Sequence, residues 1–374
     1  KKIENELRYN NDHDRWTGLF NRYYLENMLV MDATGQIEQK KAVISINLSP
    51  FHALTTTYGF HYTQEIIKKT VDALLVHCSE KRYLFHTYEN RFVFYIKDYT
   101  DKNELMDFCE RLKTTLEPLL ALERVEGGIG ILEIEGDEGN DPDRLLKKLL
   151  IASEKAIGAF DSNLGSCFYD AEMEKEITRE QDIKGELTQI AEDKEIRALF
   201  LQFQPIFDLR SGSVCGFEAL ARIRSEKLGL ISPLEFIPIA EKTKLILPLG
   251  EKIILRSFDF LNTLRENGYP HISISINISA IQLLSSNFVK NLCHMIAEKN
   301  ICPENVALEI TESVFASNYE EINCKLGELR SLGIRISIDD FGTEYSSLAR
   351  ESELNVNCLK IDKIFIDKLL TLDK

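Results

Sequence analysis

His271-Ile-Ser-Ile-Ser-Ile-Asn-Ile-Ser279 alternates without interruption between isoleucine and a polar residue. Successive side chains of a strand point to opposite faces. Ile272, Ile274, Ile276 and Ile278 therefore share one face, and Ser273, Ser275 and Asn277 share the other. Three later runs repeat this division. In Asn305–Thr311, Ala307 and Glu309 oppose Val306, Leu308 and Ile310. In Arg335–Phe341, Ser337 and Asp339 oppose Ile336 and Ile338. In Asn357–Lys363, Cys358 and Lys360 oppose Leu359 and Ile361. The aliphatic faces can go under helices while the polar faces point into a barrel, near the strands' carboxyl ends, where barrel enzymes keep their chemistry. A doubly wound sheet also buries both faces, but gives no reason for polar residues to converge from four strands.

The spacing agrees. Asn277 to Glu309 is 32 residues and Glu309 to Asp339 is 30, the size of one strand plus one crossover helix. With the earlier strand-like run Val214–Ile223, successive parallel βα units are expected over residues 200–374.

Residues 1–170 carry a different pattern. Ala42–Ser49, a strand pair within Tyr83–Ile96, and Gly127–Ile134 read as strands, separated by helices expected over Thr63–Ser79, Lys102–Leu116 and Asp143–Phe160. The order predicts an α/β domain with a largely antiparallel sheet. Between the two halves, residues 171–199 are highly charged and place Ile177, Ile183, Leu187, Ile190 and Ile196 at mostly helical spacings, which predicts a linker helix.

Composition bounds the functions. With 374 residues, 44% hydrophobic and 28% charged, two domains are expected and disorder is excluded. A formal net charge of -15 argues against binding a nucleic acid polymer, which needs clustered Lys and Arg. No apolar run of about 18 residues suggests a membrane segment in the sequence given. It begins within a charged, helix-prone stretch, Lys1–Leu7, which reads as a piece of a longer protein. The cysteines, Cys78, Cys109, Cys167, Cys215, Cys293, Cys302, Cys324 and Cys358, show no zinc-site spacing and read as reduced core residues of a cytoplasmic protein.

The groups that should converge are Glu218, Asn277, Glu309, Asp339, Asp340 and Lys360. Four carboxylates and an amide repel one another unless cations lie between them. Hard oxygen donors select Mg²⁺ or Mn²⁺. Adjacent Asp339 and Asp340 can serve two sites, as two-metal phosphoryl chemistry requires, and a lysine can hold the attacking water or stabilise charge on a phosphoryl oxygen. The competing reading makes these groups surface charges at strand ends, bonded to loop amides.

From Leu201 onward the chain resembles the EAL domain family of cyclic di-GMP phosphodiesterases. FQPIFDL (203–209), FEALAR (217–222), SINISAIQL (275–283), LEITES (308–313), DDFGTEYSSL (339–348) and LKIDKIFI (359–366) stand in family order. The resemblance implies an EAL-type (β/α)8 TIM-like barrel, with two metals bound by Glu218, Asn277, Glu309 and Asp339 and with Asp340 mainly on the second. It also implies that Glu218 and Lys360 are catalytic, Lys360 positioning the nucleophilic water, and that Arg222 contacts a substrate phosphate. An exterior salt bridge is the other reading of Arg222. Glu312 is similar to the glutamate that braces the loop after the DDFG strand; helix capping is its alternative. Glu344 stands where the family usually has glycine. The implied reaction opens cyclic di-GMP to linear pGpG, and the implied assembly is a homodimer through the EAL domain. The family continues into an AEGVE strand with another metal-linked glutamate and a QG strand, neither of which occurs before Lys374. The expectation is therefore that these 374 residues, taken alone, turn over substrate poorly.

DRWTGLFNRYYL (14–25) resembles the opening motif of GGDEF domains. The signature hairpin reads Tyr88, Glu89, Asn90, Arg91 and Phe92, so only Phe92 matches. Asn47 replaces the metal aspartate, Thr55 and Thr56 replace the base-contacting pair, and Ser79 and Arg82 stand at the ends of the RxxD inhibition site. The resemblance implies a degenerate GGDEF domain that makes no cyclic di-GMP, leaving a structural relay or a GTP-sensing regulator. For the EAL half, the alternatives to catalysis are a noncatalytic cyclic di-GMP receptor and a signalling scaffold.

Overall fold

The computed structural model describes residues 9, 11–34, 39–49, 51–123, 125–136, 138–157, 164–195, 197–311, 314–315, 318–341 and 354–371. Two compact units emerge, Lys1–Ile177 and Thr178–Lys374, both mixed α/β.

In the first unit the strands are β1 (Phe20–Asn21), β2 (Lys41–Ser49), β3 (Arg82–Tyr88), β4 (Arg91–Lys97), β5 (Glu126–Ile134) and β6 (Leu164–Phe168). Their order is β1-β3-β4-β2-β5-β6. The three central pairings are antiparallel, and the two outer ones, β1 with β3 and β5 with β6, are parallel. Ile44, Ile46 and Leu48 on one face of β2 and Val43 on the other enter separate apolar clusters, so the sheet is covered on both sides.

Helix limits differ from expectation for identifiable reasons. Gly59, at φ 88°, separates helix Phe51–Tyr58 from the next one, which therefore runs Phe60–Leu75. Helix Lys102–Glu123 outruns its expected end at Leu116 because Leu116 and Leu120, both fully buried, extend its apolar stripe. Helix Pro142–Ala156 has Asp141 as its N-cap and packs on the glycines of β5. A Cβ on Gly128 would lie 2.0 Å from the Ser153 carbonyl oxygen. Gly128→Ala should therefore cost about 3 kcal/mol through overpacking, seen as a thermal midpoint of this unit lowered by roughly 6–12 °C.

In the second unit the row runs β13 (Cys358–Ile361), β12 (Arg335–Phe341), β11 (Val306–Thr311), β10 (Ser273–Asn277), β8 (Ser213–Ser225), β7 (Leu199–Asp208), with β9 (Gly229–Ile231) also on β8. From β8 to β13 all neighbours in the row are parallel. The runs that read as strands in the sequence are thus mutually parallel, as expected, while β7 and β9, which are not among those runs, lie antiparallel to β8. Only four residues separate β7 from β8, with Gly212 at φ 67°. So short a connection can only return antiparallel.

Helix Ala171–Ala191 occupies most of the stretch expected to link the halves. Met173 packs in the first unit, and Ile183, Leu187 and Ile190 in the second. Ile196 lies outside the described residues. The core assignment of the cysteines needs correction: all are free, but only Cys109 is buried, while Cys78, Cys215, Cys302, Cys324 and Cys358 are exposed. A small side chain is buried only where a larger neighbour covers it, which composition does not reveal. No helix among the described residues is long and apolar enough to cross a membrane.

Candidate active site and the comparisons that identify the family

The strand register assembles the site. Ser275 lies beside Glu218, Asn277 beside Glu309, and Thr311 beside Asp339. The polar residues thus step two positions toward the carboxyl ends between Glu218 and Asn277, and again between Glu309 and Asp339. Behind them Ile274, Ile276, Leu308, Ile336 and Ile338 are buried, as the alternation requires. On β13 the division is incomplete, since Leu359 and Ile361 are exposed.

One carboxylate oxygen from each of Glu218, Glu309 and Asp339 lies within 4.8 Å of the other two. The Lys360 ammonium sits among them, donating to Glu309 at 2.6 Å, Asp339 at 3.0 Å and Glu218 at 3.2 Å. Asn277 donates through Nδ2 to Glu218 Oε1 at 3.0 Å. Glu309 is only 2% exposed. Burial pushes its carboxyl upward, against the pull of Lys360 and with a further push from Glu218. Burial alone would lower the Lys360 ammonium, but its bonds to Glu309 and Asp339 outweigh this and hold it above the ordinary lysine range.

Asp340 enters differently. Strict alternation turns it away from Asp339, but the pairing of β12 with β13 slips between Ile338 and Phe341, and Asp340 takes φ 55°. This bulge lets consecutive aspartates work at one strand end. Burial raises the Asp340 carboxyl, and the charges of Asp339 and Asp362 raise it further. Asp362 was not singled out in the sequence, although its place two residues after Lys360 on the same strand phase was available as a signal.

Beside the cluster is a cavity of about 400 Å³, lined by Arg222, Glu241, Asn277 and Glu309 among apolar walls that include Phe236 and Ile237. Arg222 donates to Gln202 Oε1 and the Ala221 carbonyl, both at 2.8 Å. Among the described residues no carboxylate pairs with it. Ser279, capping the helix after β10, exchanges bonds with Gln282 and fixes the backbone that follows Asn277. Glu312 and Glu344 lie outside the described residues.

The family model for the EAL domain matches residues 188–374, and that for the diguanylate cyclase GGDEF domain matches residues 11–157. The chain belongs to the tandem GGDEF–EAL family. Among curated relatives, the bifunctional diguanylate cyclase/cyclic di-GMP phosphodiesterase MucR of Pseudomonas aeruginosa is 27% identical over 365 residues, covering 96% of this chain and 52% of MucR. A cyclic di-GMP phosphodiesterase of the same organism is 28% identical over 368 residues, covering 96% of this chain and 61% of that protein. The chain thus spans about half the length of the curated relatives it matches. The solved structure of Vibrio cholerae LapD, S helix–GGDEF–EAL bound to c-di-GMP, shares the fold with TM-score 0.53, covering 98% of this chain and 86% of that one at 16% identity.

In the GGDEF unit, the signature positions are occupied by internal contacts. Asn90 donates to Asn47 Oδ1 at 3.0 Å and to the Leu48 carbonyl at 2.8 Å, and Asn47 is buried. Arg91 pairs with Glu154 at 3.5 Å and lies over the Tyr88 ring, whose hydroxyl accepts from Arg22. Glu89 and Thr55 border a cavity of about 410 Å³ with Trp16 and Phe60. Ser79 and Arg82 close a tight bridge, and Arg82 reaches Glu104 at 3.4 Å.

Proposed function

We propose that the EAL unit is a divalent-metal-dependent phosphodiesterase that opens cyclic di-GMP to linear pGpG, and that the GGDEF unit has no cyclase activity. One observation carries the first part: carboxylates from three parallel strands converge on a single ammonium beside a cavity that Arg222 also lines.

The donor set fits Mg²⁺ or Mn²⁺. Glu218, Asn277, Glu309 and Asp339 offer hard oxygens, with Asp340 next to them, and the position of Lys360 shows that positive charge is favoured there. Bound cations would supply Lewis-acid stabilisation and a lowered pKa of water. The chain's own residues do the rest. Arg222 can take non-bridging phosphate oxygens through its planar donors, and the apolar cavity wall limits bulk water around the phosphodiester. Lys360 donates N–H bonds that orient the attacking water or the phosphoryl oxygen gaining charge. Hydrolysis then breaks one P–O bond and leaves a 5′-phosphate and a free hydroxyl. The strands from β8 to β13 suit the barrel implied by the family.

The test is chromatography of cyclic di-GMP incubated with the chain and Mg²⁺ or Mn²⁺. Slow accumulation of pGpG above a metal-free control is expected. Tight binding with no product under either metal would turn the reading to a receptor.

The second part rests on Asn47, Tyr88, Asn90 and Arg91, which are engaged with protein groups where metal-bound GTP would need ligands and room. GTP incubated with the chain should yield no cyclic di-GMP by the same chromatography; detectable product overturns this part.

A further inference from the structure

Glu241 occupies an unfavourable place. It lies in the last turn of helix Pro233–Lys242, where the helix dipole is negative and a carboxylate is disfavoured. Its side chain lines the cavity shared with Arg222, Asn277 and Glu309, among Pro233, Phe236 and Ile237. Among the described residues nothing donates to it or pairs with it, and burial pushes its carboxyl upward with no partner to offset the cost. It is not part of the carboxylate cluster around Lys360. A half-buried, unpaired carboxylate at a helix C-terminus is held against three separate costs, which marks it as a group awaiting a partner.

We infer that Glu241 reads a guanine base of the ligand by accepting hydrogen bonds from its N1–H and N2–H donors. The inference rests on the proposed ligand and adds the residue that sets base identity. An ionised carboxylate only accepts, so Glu241 repels the phosphates, which Arg222 can take, and must face donors. The Watson–Crick edge of guanine presents two adjacent donors that match two carboxylate oxygens. Adenine presents one donor beside an acceptor whose lone pair opposes the carboxylate. The apolar neighbours Phe236 and Ile237 suit the faces of a planar base.

The test is calorimetric titration of the full chain and its Glu241→Gln variant, at one Mg²⁺ concentration, with cyclic di-GMP and with cyclic di-IMP, which lacks the 2-amino groups. The wild-type chain should bind cyclic di-IMP about 10- to 100-fold more weakly than cyclic di-GMP. Glu241→Gln should lose affinity for cyclic di-GMP by a similar factor and no longer distinguish the two ligands. Its thermal midpoint should stay level or rise, because a charge leaves the helix C-terminus. Wild-type discrimination retained in the variant overturns this inference and leaves the ligand reading intact. Absence of binding by the wild-type chain to either ligand overturns both.

Discussion

Glu218→Ala should lower pGpG formation by about a thousandfold or more while the protein stays folded. The Glu218 carboxylate bonds both Asn277 and Lys360, so its loss disturbs two other members of the site together. Reactive placement is worth orders of magnitude in rate. The side chain is 17% exposed, and the aliphatic packing of β8 does not depend on it. Product chromatography gives the rate, and an unchanged thermal midpoint shows that the fold is intact. Undiminished pGpG from this variant sinks the assignment of the site.

Lys360→Met should act first on stability. Removing the ammonium leaves Glu309, almost fully buried, facing Glu218 and Asp339 with no cation. Breaking a buried ion pair by deleting one partner costs about 3–5 kcal/mol because the remaining charge is uncompensated. In chelator the variant should therefore melt well below the wild-type chain. Added Mg²⁺ should raise its midpoint more than that of the wild type, in which Lys360 already neutralises the same oxygens. Turnover should fall in either case. Equal midpoints in chelator, or equal responses to Mg²⁺, would show that the ammonium and the carboxylates do not share one charge balance.

Much of the site was legible because its signal is local. The period of two in Ser273–Asn277 and Val306–Thr311 sorts each strand into an aliphatic and a polar face whatever the neighbours are, and Ile274, Ile276 and Leu308 are buried accordingly. The same rule by itself would turn Asp340 away from Asp339, and the bulge that redirects it arises from pairing with β13, about 20 residues further along the chain. The antiparallel β7 and the exposure of most cysteines escaped composition and periodicity for a related reason: each depends on which distant segment lies alongside.

The sequence by itself determined the chemistry and its order: oxygen donors, one lysine, an arginine, their phase within each strand, and a GGDEF hairpin without its acids. The tertiary structure alone decided that Glu218, Glu309 and Asp339 share the ammonium of Lys360, and that Arg222 and Glu241 border the same cavity. Side-chain phase is a property of a few consecutive residues. Distance between side chains far apart in sequence depends on inter-strand register, and register is set by hydrogen-bonding and packing partners that no local window contains.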